Sequence, residues 1–108
     1  MATVRPALVL LVDDNRSSLK LLSEALADLP LSLAVAVDGE MALRQVQLEI
    51  PDLILLDALM PGLDGFEVCR RLQAEPATRE VPIIFMTSLS DAASRVRGLE
   101  LGAVDYVT

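Results

Sequence analysis

The chain contains no histidine and no tryptophan, and its single cysteine is Cys69. Without histidine, a Ser-His-Asp triad, a Cys-His pair and a His-ligated zinc site are all excluded. With one cysteine no internal disulfide can form, which fits a reducing compartment. Aromatic residues make up only 3% of the chain, so the core must be aliphatic. Positive charge is scarce too: 9 Lys and Arg against 16 Asp and Glu leave a formal net charge of −7. That balance argues against nucleic acid or an anionic membrane as a direct partner. Long apolar runs are also missing. The early run from Pro6 ends at Asp13 and Asp14, too short to span a bilayer, and no small-residue cleavage site follows it. The expectation is a cytoplasmic protein without a membrane segment.

What is present is one domain's worth of aliphatic sequence. The 108 residues are 53% hydrophobic, with a mean hydropathy of +0.48. Such a length supports a single domain over 1–108 with one sizeable core. Short apolar runs alternate with helical patterns. Ala7 to Val12 reads as a strand. Leu19, Leu22, Leu26 and Leu29 then recur at helical spacing, and Pro30 closes that helix. Leu31 to Val37 is a second strand, and Asp38-Gly39 turns the chain. Residues 40–48 are helix-like, with Met41, Ala42, Val46 and Leu48 on the apolar side. Leu53 to Leu56 is a third strand ending at Asp57, followed by a loop over 58–65 with one Pro and two Gly. A helix over 66–75 carries Glu67 and Arg71 as a favourable i,i+4 pair. Pro82 opens a fourth strand over 83–87, a helix covers 91–101 before Gly102, and a fifth strand covers 104–107. Strands that are apolar throughout belong to a parallel sheet covered on both faces. The expected architecture is a doubly wound α/β fold with five parallel strands.

Ligands of such sheets bind beyond the carboxyl ends of the strands. The first strand delivers Asp13 and Asp14 there, the third Asp57, the fourth Thr87 and the fifth Tyr106. Singly, each has a structural explanation. Asp13, Asp14 or Asn15 could cap the first helix, Asp64 could cap the third, and Thr87 could bond to backbone. Together, three carboxylates at one edge repel one another. A hard divalent cation with oxygen ligands removes that cost, and Mg²⁺ suits a chain with no histidine and no second cysteine. One carboxylate of such a cluster can attack a phosphoryl donor and become an aspartyl phosphate.

These residues resemble the receiver domain of two-component response regulators along nearly the whole chain. The likeness runs through LLVDDN ending at Asn15, LILLDALMPGLDGFEV at 53–68, VPIIFMTS at 81–88 and LGAVDYVT at 101–108. The Asp-x-x-Met-Pro-x-x-Asp-Gly string from Asp57 is its most specific part. The resemblance implies a regulatory switch, not an enzyme with an external substrate. It implies Asp57 as the phosphoacceptor. Asp14 and Asp57 would bind Mg²⁺ directly, Asp13 would support it through water, and the backbone carbonyl of Leu59 would be a further ligand. Thr87 would be the switch hydroxyl and Tyr106 the aromatic that turns inward with it. The implied strand order is 2-1-3-4-5. The implied partners are a sensor histidine kinase or phosphotransfer protein, and an output domain outside these residues. The family places a Lys directly after the position of Thr108, then a fifth helix packed beside the first. With that last helix missing, the expectation is that something else covers the bare face: a second copy in a homodimer, an exchanged element, or residues beyond Thr108. A receiver-like dimerisation module that is not phosphorylated is the competing expectation. An aspartyl phosphatase is disfavoured, because its general acid would stand at Leu59. The stretch 81–108 is also similar to receivers joined to nucleotide cyclases or hybrid kinases.

Overall fold

The computed structural model describes residues 6–57, 60, 62–86 and 105–106. Their elements alternate as the apolar pattern requires: β1 (Ala7–Val12), α1 (Arg16–Leu26), β2 (Leu31–Ala36), α2 (Gly39–Leu48), β3 (Leu53–Leu56), α3 (Gly65–Ala74), β4 (Ile83–Phe85) and β5 (Asp105–Tyr106). The five strands pair in parallel in the order β2-β1-β3-β4-β5, the expected flavodoxin-like order. The helix expected over 91–101 lies outside the described residues. So does the segment around the expected helical stop at Gly102.

Side-chain alternation along the strands builds two separate cores. Leu10 and Val12 of β1, Ile54 and Leu56 of β3, and Ile83 and Phe85 of β4 face one side. There they meet Ala42 and Val46 of α2 and Phe66, Val68, Cys69 and Leu72 of α3. Val9 and Leu11 face the other side, against Leu19 of α1, with Leu22, Leu26, Leu33 and Leu55 packed around them. The sheet is therefore wound on both faces. The two phenylalanines meet under the sheet's carboxyl end, with Phe66 and Phe85 ring centroids 5.2 Å apart.

Each described helix begins on a side-chain cap. Asn15 Oδ1 accepts from the Ser17 and Ser18 N–H groups, Asp38 Oδ1 from Met41 N–H, and Asp64 Oδ1 from Glu67 N–H. So Asp38-Gly39 is a cap and first helical residue, not only a turn. The far end of α3 is closed from outside the helix. Buried Thr78 donates its Oγ1 hydrogen to the Leu72 carbonyl at 2.6 Å, and Arg79 Nε donates to the Gln73 carbonyl at 3.1 Å. At the opposite end of β3, Asp52 and Leu8 exchange two bonds. Asp52 N–H donates to Leu8 C=O at 2.8 Å, and Leu8 N–H donates to Asp52 Oδ2 at 2.7 Å.

Two residues leave the apolar faces expected of them. Leu29 is 50% exposed because α1 stops at Leu26, so the helical spacing that includes it no longer applies. Leu48 is 86% exposed. It stands two residues after buried Val46, roughly 200° further around α2.

Candidate functional site

The site is assembled by the backbone ladder where the strands end. Asp13 N–H donates to the Ala36 carbonyl at 3.1 Å, which carries the β1–β2 pairing one residue past β1. Asp57 N–H donates to the Val12 carbonyl at 2.9 Å, which does the same for β3 against β1. Met86 N–H donates to the Leu56 carbonyl at 2.9 Å, so the chain leaving β4 is held level with the other two. In consequence one carboxylate oxygen from each of Asp13, Asp14 and Asp57 lies within 4.8 Å of the others.

The three are not equivalent. Asp13 is buried, Asp57 half-buried and Asp14 exposed. Asp13 Oδ1 accepts the Asn15 N–H at 2.9 Å, which orients its carboxylate. Of the three cap candidates in the Asp13-Asp14-Asn15 run, Asn15 takes the cap. That leaves both aspartates at the strand edge. Thr87 and Leu59 lie outside the described residues, and so does the side chain of Tyr106. The Tyr106 backbone sits in β5 opposite Phe85.

The loop after Asp57 returns through buried Met60 and through Gly62, whose φ of 75° is the left-handed region open to glycine. It reaches α3 at the Asp64 cap. On the outer side of α3, Glu67 bonds to both Arg70 and Arg71. The Arg70 hydrogen bond, first among the causes, holds its carboxyl down at about 2. On the inner side, Cys69 packs fully buried in the core, and that burial pushes its thiol up to about 11.

Three converging carboxylates form an all-oxygen donor set. Such a set fits a hard divalent cation and lacks the nitrogen and sulfur donors that zinc or copper favour. An acidic edge at the carboxyl ends of a doubly wound parallel sheet marks a flavodoxin-like α/β domain with its candidate site at the strand ends. Within that class the chain belongs to the response regulator receiver domain family, whose profile matches residues 9–108. It is 42% identical over 102 residues to the response regulator PleD of Caulobacter vibrioides, a match covering 94% of this chain and 22% of that protein. A response regulator from Chloroflexus aurantiacus superposes with a TM-score of 0.89 at 34% identity, covering 94% of this chain and 84% of the other. The Mn²⁺-bound form of response regulator Rcp1 superposes with a TM-score of 0.89 at 28% identity, covering 95% and 81%. The match spans 22% of the length of PleD and 41% of that of PhoP of Bacillus subtilis. Among the described residues no helix is long and apolar enough to cross a membrane.

Proposed function

We propose that this chain is a phosphorylation switch that accepts a phosphoryl group on Asp57 from a histidine kinase or phosphotransfer partner. The observation that carries the reading is the convergence of Asp13, Asp14 and Asp57 within 4.8 Å, in a chain of the receiver family. An Asp57 carboxylate oxygen attacks the phosphorus of a phosphohistidine. The new O–P bond forms as the P–N bond breaks, and the imidazole leaves with a proton. Mg²⁺, when bound, offsets the charge on the transferring oxygens. Asp14, Asp57 and the Leu59 carbonyl would hold the cation, and Asp13 would support it. Buried Asp13 stays in place because its Oδ1 is bonded to Asn15 N–H. Thr87 takes one phosphoryl oxygen, and Tyr106 turns inward as Thr87 moves. The domain acts only on its own phosphorylation and dephosphorylation, in the cytoplasm, and an output domain elsewhere reads its state.

The test is incubation with Mg²⁺ and a small phosphodonor, followed by intact-mass measurement. One acid-stable, base-labile acyl phosphate is expected, absent from Asp57→Asn and absent when EDTA replaces Mg²⁺. Incorporation into Asp57→Asn at the unsubstituted level would overturn the assignment.

A further inference from the structure

Asn15 bonds in two directions at once. Its backbone N–H donates to Asp13 Oδ1 at 2.9 Å. Its side-chain Oδ1 accepts from Ser17 N–H at 2.9 Å and from Ser18 N–H at 3.1 Å. The second pair of bonds fixes the conformation of Asn15, extended at φ −91° and ψ 107°, at the head of α1. With that conformation fixed, the N–H has one direction, and it points at the buried carboxylate of the cluster.

We infer that Asn15 is a positioning residue for the carboxylate cluster: its side-chain cap on α1 aims its own N–H at Asp13 and so sets the cluster's affinity for a divalent cation. The inference rests on the metal-binding reading above. The physical chain is short. An ionised carboxylate has two oxygens able to accept from several donors. Committing Oδ1 to one N–H restricts rotation of the group and leaves Oδ2 outside that bond. Removing the cap frees the Asn15 backbone to sample other conformations, and the carboxylate loses its orientation. Partners that orient a metal-binding group typically affect affinity by tenfold or more. The same bonds tie the acidic site to the first turn of α1.

The probe is Mn²⁺, titrated into the unphosphorylated chain and followed by the loss of the free-ion paramagnetic signal. No phosphodonor is present, so the readout is independent of phosphotransfer. Asn15→Ala is expected to weaken Mn²⁺ binding about tenfold. Asn15→Ser restores the cap without adding charge, and its affinity is expected within about twofold of the unsubstituted chain. In an Asp13→Ala background, which has no side-chain acceptor at 13, the Asn15→Ala change is expected to have no further effect on affinity. Circular dichroism at the titration temperature shows that each variant is folded. If Asn15→Ala lowers the melting temperature yet binds Mn²⁺ unchanged, the cap is structural only and the inference is wrong. If Asn15→Ala weakens binding equally with and without Asp13, its effect does not run through Asp13 and the inference is wrong. An unsubstituted chain that takes up no Mn²⁺ overturns the metal reading itself, and the inference with it.

Discussion

Gly39 lies so close to Leu63 that a Cβ added to it would stand 2.6 Å from the Leu63 carbonyl oxygen and 2.8 Å from Val68 Cγ2. The first turn of α2 therefore packs directly on the loop that leads from Asp57 into α3. Two of the nearest atoms belong to Leu63, one of them backbone, and cannot swing aside as a flexible side-chain tip would.

Gly39→Ala is expected to destabilise the domain by about 1–3 kcal/mol through this overlap. Gly62→Ala is expected to cost roughly 1–2 kcal/mol for a different reason, its φ of 75°, since a Cβ there meets nothing within 4 Å. Asparagine tolerates the left-handed region, so Gly62→Asn should recover most of that loss while Gly39→Asn should not. Urea unfolding of the four variants separates the two causes.

Thr78→Val keeps the shape and removes the hydroxyl that donates to the Leu72 carbonyl. A buried carbonyl at the end of α3 then loses its partner. The expected loss is about 1–3 kcal/mol, and Thr78→Ser should lose less. Equilibrium unfolding of the two variants checks it, with faster amide exchange expected in the last turn of α3.

Glu67 is held at about 2, below its ordinary 4.5, by Arg70 first and Arg71 second. Its folded pKa lies below its unfolded one. The stabilisation is therefore complete above pH 4.5 and lost as pH falls toward 2. The group is solvent-facing, so the effect is small and salt-sensitive. Glu67→Gln should flatten the stability profile between those pH values, and adding salt should flatten it in the unsubstituted chain. Unfolding midpoints across that acid range are the measurement.

Cys69 shifts in the opposite sense, up to about 11 from its ordinary 9.0, because burial disfavours the thiolate. A raised acid pKa contributes nothing extra to pH dependence below 9.0, and stability falls as pH rises from there through about 11. The native thiol should react slowly with a disulfide reagent near pH 8 and quickly once unfolded. Equal native and unfolded rates would contradict its burial.

Much of the fold was legible in local pattern. The runs at 7–12 and 53–56 match β1 and β3 residue for residue. Both strands lie inside a parallel sheet, so apolar residues on both faces leave a continuous signal. Legibility fell off at the ends of elements. Leu29 and Leu48 read as helix-stripe residues, yet α1 ends before the first and α2 turns the second toward water. Helix ends are set by caps and neighbours, which periodicity does not register.

The sequence by itself determined which groups could act: three carboxylates at strand ends, no histidine, and a specific string beginning at Asp57. It also determined the parallel sheet, because strand composition and alternation with helices admit few other arrangements. It left open which member of Asp13-Asp14-Asn15 would cap α1. Only the tertiary structure decided that. The β1 ladder continues through Asp13 to Ala36, so Asp13 enters the sheet edge and its carboxylate accepts from Asn15 N–H, which leaves Asn15 to start the helix. The closeness of Asp57 to the pair was likewise decided in three dimensions. Its position depends on β3 lying beside β1 with Leu56 opposite Val12, a pairing between residues far apart in the chain.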